Sequence, residues 1–285
     1  MRIEFLKMQG LGNDFMVFDA PRDAGFAIDS RRIRALADRH TGVGFDQALI
    51  LEAPRDPQHR ASYRVFNADG SEVGQCGNGA RCVAALLYSR QPGLGRDLTL
   101  ESLGGLVHAQ IRDDGLVAVD MGIPNFDPQS LPMEARAESP TYSLEIDGAR
   151  VEFGAVSMGN PHVVLRVPDV NTASVARLGA AIEHHPRFAQ RTNVGFMQIV
   201  DRGHIRLRVH ERGAGETLAC GTGACAAVAV GLRSGLLDPE VEVALPGGMA
   251  RVAWAGPERS IWLTGPATLV FSGCIDVQPA GGELI

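Results

Sequence analysis

Two stretches of this chain are apolar almost all the way round: "GARCVAALLYSR" (79–90) and "GACAAVAVGLRSG" (223–235). Each opens on small residues and closes on arginine followed by a Pro- or Gly-containing break, which predicts two helices. A helix without a polar face must be buried on every side. Elsewhere the hydrophobic positions fall in short runs rich in Val, Ile and Leu, such as "RIEFLKMQG" (2–10), alternating as in a half-buried strand. Only two further stretches have helical spacing. "SRRIRALADRH" (30–40) offers Ser30 as an N-cap and basic residues toward its end, and a counterpart spans Thr172 to His184. The expected fold is α/β (α+β), with a mixed, barrel-like sheet wrapped around a buried central helix in each half.

The two halves repeat one another. "RVFNADGSEVGQCGNGA" (64–80) aligns with "RVHERGAGETLACGTGA" (208–224), so that Arg64 meets Arg208, Glu72 meets Glu216 and Cys76 meets Cys220. Upstream, "VGFDQ" (43–47) matches "VGFMQ" (194–198), and "MQGLGNDF" (8–15) partly echoes "VSMGNPH" (156–162). Long offsets with the order preserved signal two similar, pseudo-symmetric domains, not a short-period solenoid. Pro, Asn and Asp cluster in "DMGIPNFDPQSLP" (120–132), which places the link there. Thr268 to Val277 reads as a strand that can return to the first domain. The expected division is 1–122 with 267–285 against 123–266.

Composition narrows the chemistry. The 285 residues are 45% hydrophobic and 21% charged, as in soluble globular proteins. "MRIEFLKMQGLGNDF" lacks a continuous apolar signal-peptide core and no run reaches membrane length, so a cytoplasmic protein without a membrane partner is expected. A net charge of −6 without basic blocks gives no footprint for nucleic acid. Only Lys7 among the 27 basic residues is a lysine, which argues against a pyridoxal-phosphate Schiff base; its place in an alternating run reads as a strand-end surface charge. Five cysteines at irregular spacing, with no C-x-x-C and no histidine at zinc-like distance, point to reduced thiols and no metal site.

Cys82 and Cys225 fall inside the apolar helices and Cys274 in the last strand, where a cysteine is an inert small hydrophobe. Cys76 and Cys220 differ, because each directly precedes Gly-x-Gly-Ala at a helix mouth. A helix N-terminus stabilises a thiolate, and flanking glycines turn backbone amides outward as an anion nest. Two such mouths can hold one amino-acid carboxylate with its Cα between two sulfurs. One thiolate then removes the α-proton while the opposite thiol supplies another, inverting the centre. A thiol hydrolase would use one Cys–His pair and leaves the second loop unexplained. A metal-binding module lacks its ligand spacing.

Together "GLGNDF", "FDQ", "FNADGSEVGQCGNGARC", "MGNPH", "RTNVGF" and "ERGAGETLACGTGA" closely resemble the diaminopimelate epimerase family, in the family's order and over nearly the whole chain. The resemblance implies interconversion of LL- and meso-diaminopimelate in lysine and peptidoglycan precursor biosynthesis, without a cofactor, in a cleft between two similar α/β barrels. It implies Cys76 and Cys220 as the acid/base pair, with His162 and Glu211 tuning the thiols. The amides of Gly77, Asn78, Gly221 and Thr222 would hold the reacting carboxylate. Asn13, Gln47, Asn67, Asn160, Asn193, Glu211 and Arg212 would line the rest, Arg212 suiting the distal carboxylate and Glu211 the distal ammonium. Glu72 and Glu216 read as loop-bracing carboxylates.

Proline racemases, which also pair cysteines, are the nearest alternative; their first loop reads Cys-Gly-His where this chain has "CGNG", and Arg212 would have little purpose with proline. Two positions depart from the family pattern. His210 replaces an aromatic residue beside Glu211. Phe271 stands where many members have a tyrosine in a dimer contact; a homodimer is still expected. "QPAGGELI" (278–285) reads as a solvated tail.

Overall fold

The computed structural model of the protein describes residues 2–19, 29–91, 93, 95–135 and 137–276; the tail at 278–285 lies outside them. The chain runs β1 (Arg2–Gly10), β2 (Asn13–Asp19), α1 (Ser30–Ala37), β3 (Gln47–Glu52), β4 (Ala61–Asn67), β5 (Glu72–Val73), α2 (Gly77–Arg90), β6 (Asp97–Ser102), β7 (Gly105–Ile111) and β8 (Val117–Asp120). It continues with β9 (Tyr142–Ile146), β10 (Ala149–Ser157), β11 (Pro161–Arg166), α3 (Val175–Glu183), β12 (Asn193–Asp201), β13 (His204–Glu211) and β14 (Gly215–Thr217). Last come α4 (Gly221–Arg233), β15 (Glu240–Leu245), β16 (Gly248–Trp254), β17 (Ile261–Gly265) and β18 (Thr268–Asp276). Two units result, Met1–Val119 with Gly265–Ile285, and Asp120–Thr264.

The duplication is complete at the level of topology. In the first unit β1 pairs antiparallel with β2, β2 runs parallel to β3, and β3, β4 and β5 follow antiparallel. There β4 lies parallel to β6, from which β7 and β8 continue antiparallel. In the second unit β10 to β17 repeat every pairing in that order and sense. One extra strand then borders the first strand of each repeat, β18 against β1 and β9 against β10, both antiparallel.

The helices also correspond. Both α2 and α4 are buried through most of their length, as their apolar circumference requires. By contrast, α1 and α3 are amphipathic and cover one face of each sheet. Ile33, Leu36 and Ala37 pack onto Phe5, Phe18, Phe45 and Phe66, whereas Val175 and Ile182 pack onto Phe153, Phe188 and Phe196.

Four local expectations are corrected. The N-cap of α1 is Asp29, whose carboxylate accepts from Arg32 N, while the Ser30 hydroxyl donates to Gly70 O. The helix stops at Ala37, not His40, because Asp38 turns extended and its carboxylate gathers the N–H groups of His40 and Thr41. The counterpart helix begins at Val175, not Thr172, whose hydroxyl bonds back to Asp169 O. Lys7 is no surface charge: it is 8% exposed and ion-paired to Asp14 at 2.5 Å, with Gly44 O as a second acceptor. Burying a lone ammonium is costly, and the Asp14 carboxylate offsets that cost.

Candidate active site

Each thiol loop is built by the same parts. Arg64 on β4 grips Glu72 on β5 through two hydrogen bonds of 2.7 and 2.9 Å. In the other unit Arg208 grips Glu216 at 2.6 and 2.8 Å. These bidentate pairs brace the hairpin that delivers each cysteine to the mouth of its buried helix, the loop-bracing role read for Glu72 and Glu216. Cys76 and Cys220 are the N-cap residues of α2 and α4, both with extended backbone. Beyond each cap, the first N–H groups of the helix have no intrahelical acceptor, at Gly77 and Asn78 in one loop and Gly221 and Thr222 in the other. Gly223 lets the helix mouth close tightly on the thiol: a Cβ there would lie 3.2 Å from Cys220 Sγ and 3.0 Å from Val209 Cγ2, pressing on both.

In the first unit, Cys76 Sγ accepts from Gly79 N at 3.5 Å and lies 3.8 Å from Asn13 Oδ1. Asn78 Nδ2 donates to the same Asn13 oxygen at 3.3 Å. Gln47 and Asn67 stand directly opposite in the β3–β4 register, with Gln47 Nε2 donating to Asn67 Oδ1 at 2.9 Å. Gln47 Oε1 is buried without a hydrogen-bond partner among the described residues. A buried acceptor left open is costly unless a ligand completes it.

In the second unit, Cys220 Sγ is 3.6 Å from Thr222 Oγ1, which accepts from Asn160 Nδ2 at 3.5 Å; Asn160 Oδ1 is 3.0 Å from His162 Nε2. His162 sits opposite Asn193 in the β11–β12 register. Asn193 binds Pro161 O through Nδ2 at 2.9 Å and the Arg212 N–H through Oδ1 at 3.0 Å, so it ties the strand pair to the arginine loop. The exposed Arg212 guanidinium donates to Gln190 O at 3.1 Å. Glu211 accepts a hydrogen bond from the Thr217 hydroxyl.

The electrostatics separate the thiols by environment. Burial pushes the Cys220 thiol well above its ordinary range, and the Glu211 carboxylate pushes it further. Burial overrides the helix-mouth effect that the sequence suggests at this residue. His162 is brought down to about 3 by burial and, secondarily, by the Arg212 charge, so its imidazole is neutral at physiological pH. Cys82 is raised to about 12, mainly by burial, and stays an uncharged core residue. Cys225 is likewise fully buried, whereas Cys274 lies exposed on β18 beside Arg2.

The sequence-read residues thus form two clusters, one per unit. Asn13, Gln47, Asn67, Gly77 and Asn78 accompany Cys76; Asn160, His162, Asn193, Glu211, Arg212, Gly221 and Thr222 accompany Cys220. Phe271 lies outside both, on β18 with its ring edge-on to Phe5. Sequence reasoning passed over Ser71 and Thr217, which complete the hydrogen bonds of Asn67 and Glu211. It also passed over Glu183, which receives His210 Nε2 at 2.9 Å and the Gly213 N–H at 2.9 Å. A carboxylate at the end of an amphipathic helix carries no sequence signal that it reaches a loop thirty residues on.

Comparison with known proteins shows the family and the fold. The family profile described as diaminopimelate epimerase matches residues 5–126 and 154–270. The diaminopimelate epimerase of Stutzerimonas stutzeri is 53% identical over 96% of this chain and 99% of its own. That of Thioalkalivibrio sulfidiphilus is 54% identical over 97% and 100%. Among solved structures, a probable proline racemase from Agrobacterium radiobacter covers 98% of this chain and 94% of its own at TM-score 0.69 and 18% identity. A hydroxyproline epimerase from Agrobacterium vitis covers 96% and 92% at TM-score 0.66 and 17% identity. At these identities the two structures establish a shared fold.

Proposed function

The chain belongs to the diaminopimelate epimerase family and is an isomerase acting on LL- and meso-2,6-diaminopimelate in lysine biosynthesis; we propose that it does so with two thiols and no cofactor. One sulfur takes the α-proton as a thiolate, and the other, on the opposite face of the same carbon, delivers a proton as a thiol. The observation that carries this reading is the matched pair of cysteine N-caps, each heading a buried helix in one of two duplicated units. A single-thiol mechanism has no use for the second copy.

The surrounding residues have roles that follow from their chemistry. Outward amides of Gly77, Asn78, Gly221 and Thr222 receive the carboxylate at the reacting centre and favour the negative charge that builds as the proton leaves. The open Gln47 Oε1 suits an ammonium donor, and Asn67 fixes its partner nitrogen. Arg212 suits the second carboxylate by bidentate pairing, with Asn13, Asn160 and Asn193 supplying amides around the ligand. Burial, reinforced by the Glu211 carboxylate, keeps Cys220 protonated, so Cys220 enters the cycle as the acid and Cys76 as the base. The neutral His162 orients Asn160.

Proline racemization is the weaker reading, since Arg212 and the polar Asn67–Gln47 pair would find no group on proline. We further propose a cytoplasmic homodimer without nucleic-acid or membrane partners, with Leu269, Val270 and Phe271, all about half exposed on β18, at the contact. Sedimentation should return twice the chain mass; a monomer at working concentration would contradict the dimer. The catalytic reading is tested by Cys76→Ala and Cys220→Ala, each expected to retain its fold and lose at least about a thousandfold in turnover. Either variant epimerising at near wild-type rate would remove the pairing.

A further inference from the structure

Asn13 could face Cys76 with its oxygen or its NH2 group, and the choice has opposite consequences for the sulfur. An amide oxygen accepts from S–H and favours the thiol; an NH2 donates and favours the thiolate. The choice is made by two ions, Asp46, which Asn13 touches, and Arg81, which acts on it through Asn78. Asn13 Nδ2 lies 3.0 Å from Asp46 Oδ2, and a carboxylate only accepts, so the nitrogen must point there. At the other end, Arg81 Nη2 lies 2.7 Å from Asn78 Oδ1, and a guanidinium only donates, so Asn78 must turn its NH2 to Asn13 Oδ1. Arg81 is fully buried, and a Cβ on Gly10 or Gly265 would come 3.2 or 3.3 Å from its guanidinium.

Asp46 is itself anchored. Its Oδ1 accepts from Arg39 Nη2 at 2.8 Å, its Oδ2 also accepts from Asp14 N at 3.2 Å, and its own N–H donates to Asp14 Oδ1 at 2.9 Å. Lys7 and Arg39 balance the two carboxylates. Burial opposes ionisation of Asp14, but hydrogen bonds from Arg39 and Lys7 outweigh it and hold that carboxyl at about 2.

We propose that Asp46 is a positioning residue of the reaction: it fixes the polarity of Asn13, so that Oδ1 and not the NH2 group faces the Cys76 sulfur. The thiol form then has an acceptor in Asn13, and the thiolate form has a donor in Gly79 N–H. A group that must alternate between acid and base is served in both states. The inference deepens the two-thiol reading and rests on it for its purpose, but its test needs no turnover.

The test is a double-mutant cycle on the pH profile of Cys76 alkylation by iodoacetamide, read by mass spectrometry of the Cys76 peptide. Other titratable groups near the sulfur are Tyr63 on β4, raised chiefly by burial, and Cys82 on α2, which Arg81 also faces; all are retained throughout the cycle. Asp46→Ala should move the alkylation midpoint about one pH unit toward acid, because only the 3.3 Å hydrogen bond from Asn78 is then left to hold Asn13 as acceptor. In an Asn13→Ala background the same replacement should move it no further, since its route to the sulfur is gone. A shift that persists in that background means Asp46 acts by its charge alone, and no shift in either background means it does not act at all; both overturn the proposal. Asp46→Ser, whose hydroxyl falls short of Asn13, takes the place of Asp46→Ala should that variant fail to fold, with the same outcomes required.

Discussion

Cys220 owes its character to neighbours that stand far from it in sequence. It is 4% exposed, and Glu211 adds a negative charge to a site already hostile to a thiolate. Removing that charge should therefore favour ionisation. Glu211→Gln is expected to shift the thiolate absorbance titration assigned to Cys220 toward acid by about one pH unit, with Cys76 unaffected. An unchanged titration would free Glu211 of its tuning role. At this scale the sequence was informative about identity and poor about state. The Cys-Gly-x-Gly-Ala frames single out the two thiols among five cysteines, since their chemistry depends on a local cap. Protonation depends on burial, which belongs to the folded chain, so a helix mouth that suggests a lowered pKa holds a raised one. Lys7 illustrates the same limit: alternation places it on a strand, but only its contact with Asp14 reveals it as a buried ion.

At the level of elements, hydrophobic pattern was legible and ends were not. The all-round apolarity of α2 and α4 correctly reads as burial, and both begin at their cysteine caps. The ends of α1 and α3 were set by side chains competing for backbone groups, Asp38 and Thr172 among them, which periodicity does not register. The departure at His210 finds its explanation here. Gly179 on α3 has no Cβ, and one built there would lie 2.5 Å from His210 Cβ; Glu183 on the same helix receives the imidazole. The imidazole thus docks α3 against the strand that ends in Glu211. Gly179→Ala should destabilise the protein by about 1–3 kcal/mol, measured by denaturant unfolding. Stability equal to wild type would show that the helix and His210 have room to part.

On the scale of the whole molecule, the chain is one design written twice. Eight strands and two helices recur with identical pairings, and the motifs that align in sequence occupy equivalent elements. Order and offset made this duplication legible, because each repeat is a self-contained run of local signals. Of the extra strands, β18 returns to the first unit as its position in the sequence suggests, but the choice of β1 and β10 as partners of β18 and β9 is topological and no local pattern encodes it. Duplication supplies two thiols of like construction, and the reaction proposed requires two groups of that kind. The most direct measurement is epimerisation of LL-diaminopimelate in deuterated water, stopped at low conversion. The account predicts deuterium at the inverted α-carbon of the meso product while unreacted LL substrate retains protium, because a monoprotic thiol returns what it took and its opposite delivers solvent label. Equal labelling of product and remaining substrate from the earliest times would show a single base serving both faces and would contradict it.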